Sequence, residues 1–314
     1  MRPLLKWAGG KRQLLPVLRD YYPATFDRYL EPFVGSGAVF FDLYGSGRLD
    51  GLPVRLTDSN PDLIGCYRTV RDDADAVVEA LADLEEEHRA RGADCYYDVR
   101  DRRFNPARAA LRRPAYTPAL AAMFIYLNRT GFNGLFRVNR GGAFNVPAGR
   151  YTDPRICEPD HIRAVGRALS SGRVRLECAP FDPALAEARR GDFVYCDPPY
   201  APLSRTANFA HYTAAGFGAR DHQRLHGAIV AAAGRGAILV VSNSHAPEIE
   251  RAYRARESRL AGFAVRRVPA RRAINAHAAR RGPVDELIIT NAPDAPPRLR
   301  MARSTLARRD SRSA

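Results

Sequence analysis

Residues 28–58 constrain the fold more than any other stretch of the chain. RYLEPFV (28–34) reads as a short strand that runs into the glycine turn GSG (35–37). AVFFDLYG (38–45) then carries a helical pattern, and PVRLT (53–57) reads as a second strand ending at Asp58. A strand, a tight turn, a helix and a second strand close as a crossover between parallel neighbours, which sets up an α/β sheet.

The pattern then breaks off and later resumes. Within residues 72–91, Val77, Val78, Leu81 and Leu84 recur at helical spacing among acidic neighbours. Residues 94–151 are rich in aromatics and arginine, with glycine turns. Pro159 opens a helix whose Ile162, Val165 and Leu169 share one face. RVRLEC (173–178), DFVYC (192–196) and AILVVS (237–242) read as strands, and 221–233 reads as a helix stopped by Gly234. Two β-rich runs, 263–268 and 284–290, flank a basic loop with Arg271, Arg272, Arg280 and Arg281. The expected organisation is one α/β domain made of residues 1–70 and 165–291, interrupted by an insertion at 71–164. Residues 292–314 lack periodicity and read as a disordered basic tail.

The formal net charge is +15, from 49 basic against 34 acidic side chains. Such a charge attracts polyanions, nucleic acid first among them. No apolar run approaches the roughly 18 residues of a membrane span, and the first residues lack the apolar core of a signal peptide. Five unevenly spaced cysteines with no CxxC pair fit a reduced, cytosolic protein without a zinc site. Only two of the basic residues are lysines, Lys6 and Lys11, and they bracket KWAGGK (6–11).

Two motifs carry chemistry. FVGSG (33–37) sits at a strand-to-helix turn, where glycine lets a ligand approach the backbone. The dinucleotide fingerprint would need a glycine where Phe40 stands, so a pyrophosphate site does not fit. Asp58, at the end of the next strand, is placed to accept hydrogen bonds from ribose hydroxyls. A nucleoside without phosphates, such as S-adenosylmethionine, suits this arrangement; a plain glycine turn reads the same way. DPPY (197–200) follows the strand DFVYC directly. Ligands of open α/β sheets bind at the carboxyl ends of strands, and paired prolines stiffen a loop whose carboxylate must aim at one atom.

A chain with KWAGGK, EPFVGSG, TDSNPDL and DPPYAPLSRTANF in this order resembles the Dam-type DNA adenine-N6 methyltransferases. NRTGFNGLFRVNRGGAFNVPAGRY (128–151) looks like the family's DNA-reading segment, and VDELIIT (284–290) like its closing strand. The resemblance covers roughly residues 3–291. It implies a Rossmann-like sheet with helices on both faces, plus an inserted, mostly helical target-recognition domain with a β-hairpin. It further implies a cytosolic monomer that uses S-adenosylmethionine as cofactor, double-stranded DNA as partner and no metal. Asp197 and the carbonyl of Pro198 would accept the two N–H groups of the target amine, with Tyr200 as the stacking face for a flipped-out base. Trp7, Lys11, Phe33, Gly35, Gly37, Asp58, Phe181 and Asp197 would line the cofactor. Lys6 would reach the DNA, Leu135, Arg137, Pro147 and Tyr151 would recognise GATC, and Phe132 and Asn133 would intrude beside the flipped base. Arg137 is the side chain that suits a guanine, being bidentate to O6 and N7. Arg271 and Arg272 would meet phosphates.

Two other readings compete. A methyltransferase of another planar amine, such as cytosine-N4 or RNA, would more often carry Asn or Ser in place of Asp197. A noncatalytic DNA-binding module would be expected to have lost Asp197, Tyr200 or the cofactor motif, and all are present.

Overall fold

The structure, a computed structural model, describes residues 1–7, 9–111, 116–201, 217–271 and 283–293. Arg272, Arg280, Arg281 and the tail from residue 294 lie outside the described residues, as does the side chain of Arg271.

Seven strands form one sheet: β1 Arg28–Glu31, β2 Pro53–Asp58, β3 Arg173–Cys178, β4 Asp192–Cys196, β5 Ile238–Ser244, β6 Ala264–Arg271 and β7 Pro283–Thr290. Their order is β3-β2-β1-β4-β5-β7-β6. The first five are mutually parallel, while β7 runs antiparallel between β5 and β6. This is a Rossmann-like α/β fold with an antiparallel edge. β1 is shorter than the run 28–34 suggested, because the chain leaves the ladder at Pro32, which has no N–H to donate. β5 runs on to Ser244, past the apolar stretch.

The strand order reverses between β1 and β4. β1, β2 and β3 step outward in one direction, and β4 and β5 step outward in the other. Loops after β1 and β4 therefore leave the sheet on opposite sides and open a crevice between them. FVGSG follows β1 and DPPY follows β4, so two motifs far apart in sequence meet at that crevice. Pairing of Leu30 with Val194 sets their relative height.

Alternation along the strands builds two cores. Tyr29, Phe193, Tyr195 and Val240 face one layer, whereas Leu30, Val194, Cys196, Leu239 and Val241 face the other. The first layer holds helices α1 Ala38–Gly45, α2 Pro61–Asp72, α3 Ala74–Arg91, α4 Pro118–Thr130 and α5 Pro159–Ser170. The second holds α6 Phe181–Glu187, α7 Ala219–Gly234 and α8 Pro247–Tyr253. Helix starts follow local chemistry. Asn60 Oδ1 accepts from Asp62 N and Leu63 N ahead of Pro61, and Thr117 Oγ1 accepts from Leu120 N ahead of Pro118. Val77, Val78, Leu81 and Leu84 form the buried stripe of α3, and Ile162, Val165 and Leu169 that of α5.

The apolar residues of 71–164 are continuous with the core of the sheet. Phe104, Phe124, Phe136 and Phe144 belong to the same apolar cluster as Tyr29 and Leu56 of the sheet. Residue 164 lies inside α5, which packs back against α2. The hairpin expected here is a loop closed by two isolated antiparallel bridges, Gly131 with Ala148 and Val138 with Phe144, rather than two regular strands. None of the described helices is long and apolar enough to cross a membrane.

Candidate active site

The β1 turn is built around Gly35. Its φ of +46° lies in the left-handed region, and an added Cβ would stand 3.0 Å from Cδ1 of the Trp7 indole. Glycine is thus required on both conformational and steric grounds. Gly35 N donates to Asp58 Oδ2 at 3.1 Å, and Asn60 N donates to Asp58 Oδ1 at 2.9 Å. These bonds tie the β1 turn to the end of β2. Burial pushes the Asp58 carboxyl up to about 6, against the pull of those backbone N–H groups. Beneath the turn, buried Glu31 accepts from Tyr29 Oη at 2.8 Å and from Phe40 N at 3.2 Å. Burial raises it to about 8.

One wall of the crevice is aromatic. The Phe33 and Phe181 rings stack with centroids 5.4 Å apart, and Phe217 meets Phe33 edge-on at 5.9 Å. Phe217 was not singled out from sequence. It precedes α7, where a lone aromatic reads as ordinary core.

The β4 loop carries the charged centre. Lys11 Nζ lies 2.8 Å from Asp197 Oδ2, with the lysine side chain 4% exposed and the aspartate 18%. Ser242 Oγ donates to Asp197 Oδ1 at 2.8 Å and is itself 3.0 Å from Tyr195 Oη. Both carboxylate oxygens are thereby oriented. Burial raises the Asp197 pKa, and the neighbouring Lys11 charge and hydrogen bond oppose that rise. Lys11 Nζ also sits 4.6 Å from the Tyr200 ring centroid and donates to Gly9 O. Tyr200 Oη donates to Glu286 Oε2 at 2.6 Å. At the loop's end, Ala201 N donates to Asn243 Oδ1 at 3.3 Å and Ser244 Oγ donates to Ala201 O at 2.7 Å. The prolines alone do not hold this loop. Three consecutive polar side chains, Ser242, Asn243 and Ser244, pin it from the end of β5. Sequence reading passed over them, although a polar triplet closing an apolar strand at the carboxyl edge was a usable signal.

A second group gathers on the inserted segment. Asn128 Oδ1 accepts from Lys6 N at 2.8 Å, and Asn128 Nδ2 donates to Lys6 O at 2.7 Å, pairing with that backbone as a strand would. Gly134, at φ +62°, lets Lys6 pack closely, since a Cβ there would lie 2.4 Å from Lys6 Cβ. Lys6 Nζ stands 4.4 Å from the Tyr151 ring centroid. Phe132 and Tyr151 are exposed at 45% and 39%, an unusual state for large aromatics that leaves them available to a partner. Phe132 N donates to Pro147 O at 2.9 Å, and Gly149 N donates to Thr130 O at 2.8 Å. These two bonds close the base of the hairpin-shaped loop and hold exposed Asn133 and Pro147 near one another. Arg137 is exposed, and its Nε donates to Asn145 Oδ1 at 2.8 Å. Leu135 is half-buried against the core, and Phe136 is fully part of it. The two lysines of KWAGGK thus serve different places: Lys11 enters the Asp197 centre and Lys6 joins the inserted surface. Trp7 lies between them, its ring 5.8 Å from that of Phe136.

Chemically, the crevice offers a pinned carboxylate beside an aromatic ring, a glycine turn tied to an acid at the end of β2, and an apolar wall. It can bind a nucleoside along β1 and β2 and orient a planar amine at β4.

Comparison with known proteins agrees with this chemistry. A sequence model of the D12 class N6 adenine-specific DNA methyltransferases matches residues 7–272. The type II methyltransferase M1.LlaDCHI of Lactococcus lactis subsp. cremoris is 35% identical over 295 residues, covering 93% of this chain and 95% of that protein. A DNA adenine methylase of Vibrio cholerae is 35% identical over 294 residues, covering 93% of this chain and 96% of the relative. A DNA adenine methylase of Salmonella typhimurium is 39% identical over 211 residues, covering 67% of this chain and 69% of the relative.

Proposed function

This chain belongs to the D12 class of N6 adenine-specific DNA methyltransferases, and we propose that it methylates the adenine of GATC, flipped out of duplex DNA, with S-adenosylmethionine as methyl donor. The observation that carries the reading is the doubly held Asp197 carboxylate beside the Tyr200 ring, at the point where the strand order reverses.

The residues present fit the donor. Asn60, whose backbone N donates to Asp58 Oδ1, has a buried Nδ2 without a partner among the described residues. Gly35 carries no side chain, its N–H is held by Asp58 and its carbonyl by Tyr67 Oη, and Phe33 and Phe181 supply an apolar wall. Asp58 would accept from the ribose hydroxyls, Asn60 would offer an N–H, and Trp7 and Lys11 would border the methionine end. When bound, S-adenosylmethionine supplies a methyl group on a positively charged sulfur.

The chain's own residues prepare the amine. The adenine N6 lone pair is delocalised into the ring and is a poor nucleophile. Asp197 and the Pro198 carbonyl accept its two N–H groups, drawing the nitrogen toward tetrahedral geometry and localising the lone pair. Hydrogen bonds to a charged acceptor contribute about 1.5–3 kcal/mol each, and fixed acceptors contribute most where charge develops. As the nitrogen becomes cationic, the Asp197 carboxylate stabilises it and accepts the departing proton. Tyr200 stacks on the base, whose removal from the duplex leaves a gap for Phe132 and Asn133. Arg137 reads a guanine edge, with Leu135, Pro147 and Tyr151 shaping the contact, and Lys6, Arg271 and Arg272 attract the backbone. The enzyme works as a monomer.

Expression in a bacterium without adenine methylation, followed by mapping of every methylated base, tests the reading. N6-methyladenine confined to GATC is expected. Methylation of another short site would refute the GATC assignment, and modified cytosine would refute the proposed target.

A further inference from the structure

We propose that Glu286 is a positioning residue for the ring on which the target base stacks. The inference rests on the reading of Tyr200 as that stacking face.

The β4 loop is fixed at its carboxylate and at its last peptide. Ser242 holds Asp197, while Asn243 and Ser244 hold Ala201. None of these contacts sets the tilt of the Tyr200 ring. An aromatic ring turns about two side-chain torsions, and the second is broad. Apart from the Lys11 ammonium 4.6 Å from its centroid, a ring anchored only at Cα can therefore present its face at several angles. The bond from Tyr200 Oη to Glu286 Oε2, at 2.6 Å, anchors the opposite end. Its length suits a hydroxyl donating to a charged oxygen, the stronger kind of hydrogen bond. The phenolic O–H lies in the ring plane, so this tether grips an edge and covers neither face.

Glu286 is well placed to act as a fixed anchor. It lies on β7, opposite Ser244 of β5 on one side and Val268 of β6 on the other. Its Cα is held by pairing with both neighbours, and Ser244 is itself one of the residues that pin the loop. The carboxylate that orients the ring and the hydroxyl that fixes the next peptide are thus cross-strand partners. Sheet register converts directly into ring angle.

The test uses the full chain with Glu286→Ala, Glu286→Gln, Tyr200→Phe and the double variant Tyr200→Phe/Glu286→Ala. Single-turnover methyl transfer at saturating S-adenosylmethionine is measured first. A duplex with 2-aminopurine in place of the target adenine then reports stacking by fluorescence. Glu286→Ala should slow transfer about ten- to a hundredfold, the range of one charge-assisted hydrogen bond. Affinities for the methyl donor and for duplex should stay close to those of wild type, which also shows that the variant folds. Glu286→Gln keeps an acceptor oxygen and should recover all but about threefold of the rate. On the Tyr200→Phe background, Glu286→Ala should add nothing, because the hydroxyl it acts through is gone. Bound 2-aminopurine should be brighter with Glu286→Ala than with wild type. An additive loss in the double variant, or a glutamine variant as slow as alanine, would overturn the proposal. Wild-type complexes without any change in 2-aminopurine emission would instead overturn the base-flipping premise. An emission change that survives unaltered in Glu286→Ala would remove Glu286 alone.

Discussion

Replacing Asp197 by alanine should cost stability as well as activity, and the two losses can be separated. Lys11 is 4% exposed and lies 2.8 Å from Asp197 Oδ2. Removing one member of a buried ion pair strands the other charge, at a cost of about 3–5 kcal/mol. Two features place this case near about 3 kcal/mol, the lower end of that range. Gly9 O still accepts from the ammonium, and the Tyr200 ring stays beside it. Ser242 Oγ loses its acceptor but keeps Tyr195 Oη at 3.0 Å. Lys11→Met should be destabilising for the converse reason, because it leaves the carboxylate unpaired. The double variant Lys11→Met/Asp197→Ala removes both charges and should be more stable than either single variant, with a coupling of about 2–3 kcal/mol. Urea unfolding followed by circular dichroism, with midpoints compared at a common slope, measures all four proteins. Methyl transfer should be abolished in Asp197→Ala and stay abolished in the double variant, while duplex affinity is largely kept. If Asp197→Ala unfolds within about 0.5 kcal/mol of wild type, or the double variant loses the sum of the single losses, the argument from a buried pair is refuted.

Other outcomes follow from the same geometry. Arg137→Ala should narrow the rate gap between GATC and sites altered at one guanine by about 1–3 kcal/mol; a panel of single-base variants checks this, and equal slowing at every site would contradict it. Asp58, raised to about 6 by burial, would on the proposed reading accept from the ribose as a carboxylate and lose that capacity on protonation. Affinity for S-adenosylmethionine should therefore hold above that pH and fall as pH drops through it, by at most about tenfold per unit. Calorimetric titration checks the profile, and Asp58→Asn should bind more weakly and flatten it. Gly35→Ala, at φ +46° and against Trp7, should cost about 1–2 kcal/mol from the backbone alone and weaken cofactor binding; unchanged affinity and melting temperature would show that the turn tolerates a Cβ.

A short N-terminal stretch joins the Asp197 centre to the inserted surface. Lys6 and Lys11 belong to one loop, yet their side chains go to different neighbours. Asn128 captures the backbone at Lys6, and the Asp197 carboxylate captures the ammonium of Lys11. A shift of this loop would disturb both places together. Arginine would be a poor replacement at Lys11, since its planar fork needs more room than a point charge held among Gly9 O, Asp197 and the Tyr200 ring.

What the sequence determined by itself was local and periodic. Strand runs and helix stripes follow from neighbouring residues, so all seven strands and helices α1, α3, α5 and α7 were legible with ends shifted by a few residues, whereas α2 and α4, apolar on more than one face, were not. FVGSG and DPPY were legible too, because glycine and proline restrict the backbone whatever surrounds them. Tertiary structure alone decided which side chains meet. Ser242, Asn243 and Ser244 show in sequence only as a polar triplet closing an apolar strand, and Glu286 looks like any polar residue in a strand. They become the supports of the β4 loop only because β5 pairs with β4 and β7 pairs with β5. Lys11 meets Asp197 in the loop after β4, and Asn128 on α4 meets Lys6, through the packing of segments distant in sequence. A hydrogen bond between distant residues depends on positions fixed by the packing of the whole sheet, and that packing leaves no trace in the spacing of the residues it joins.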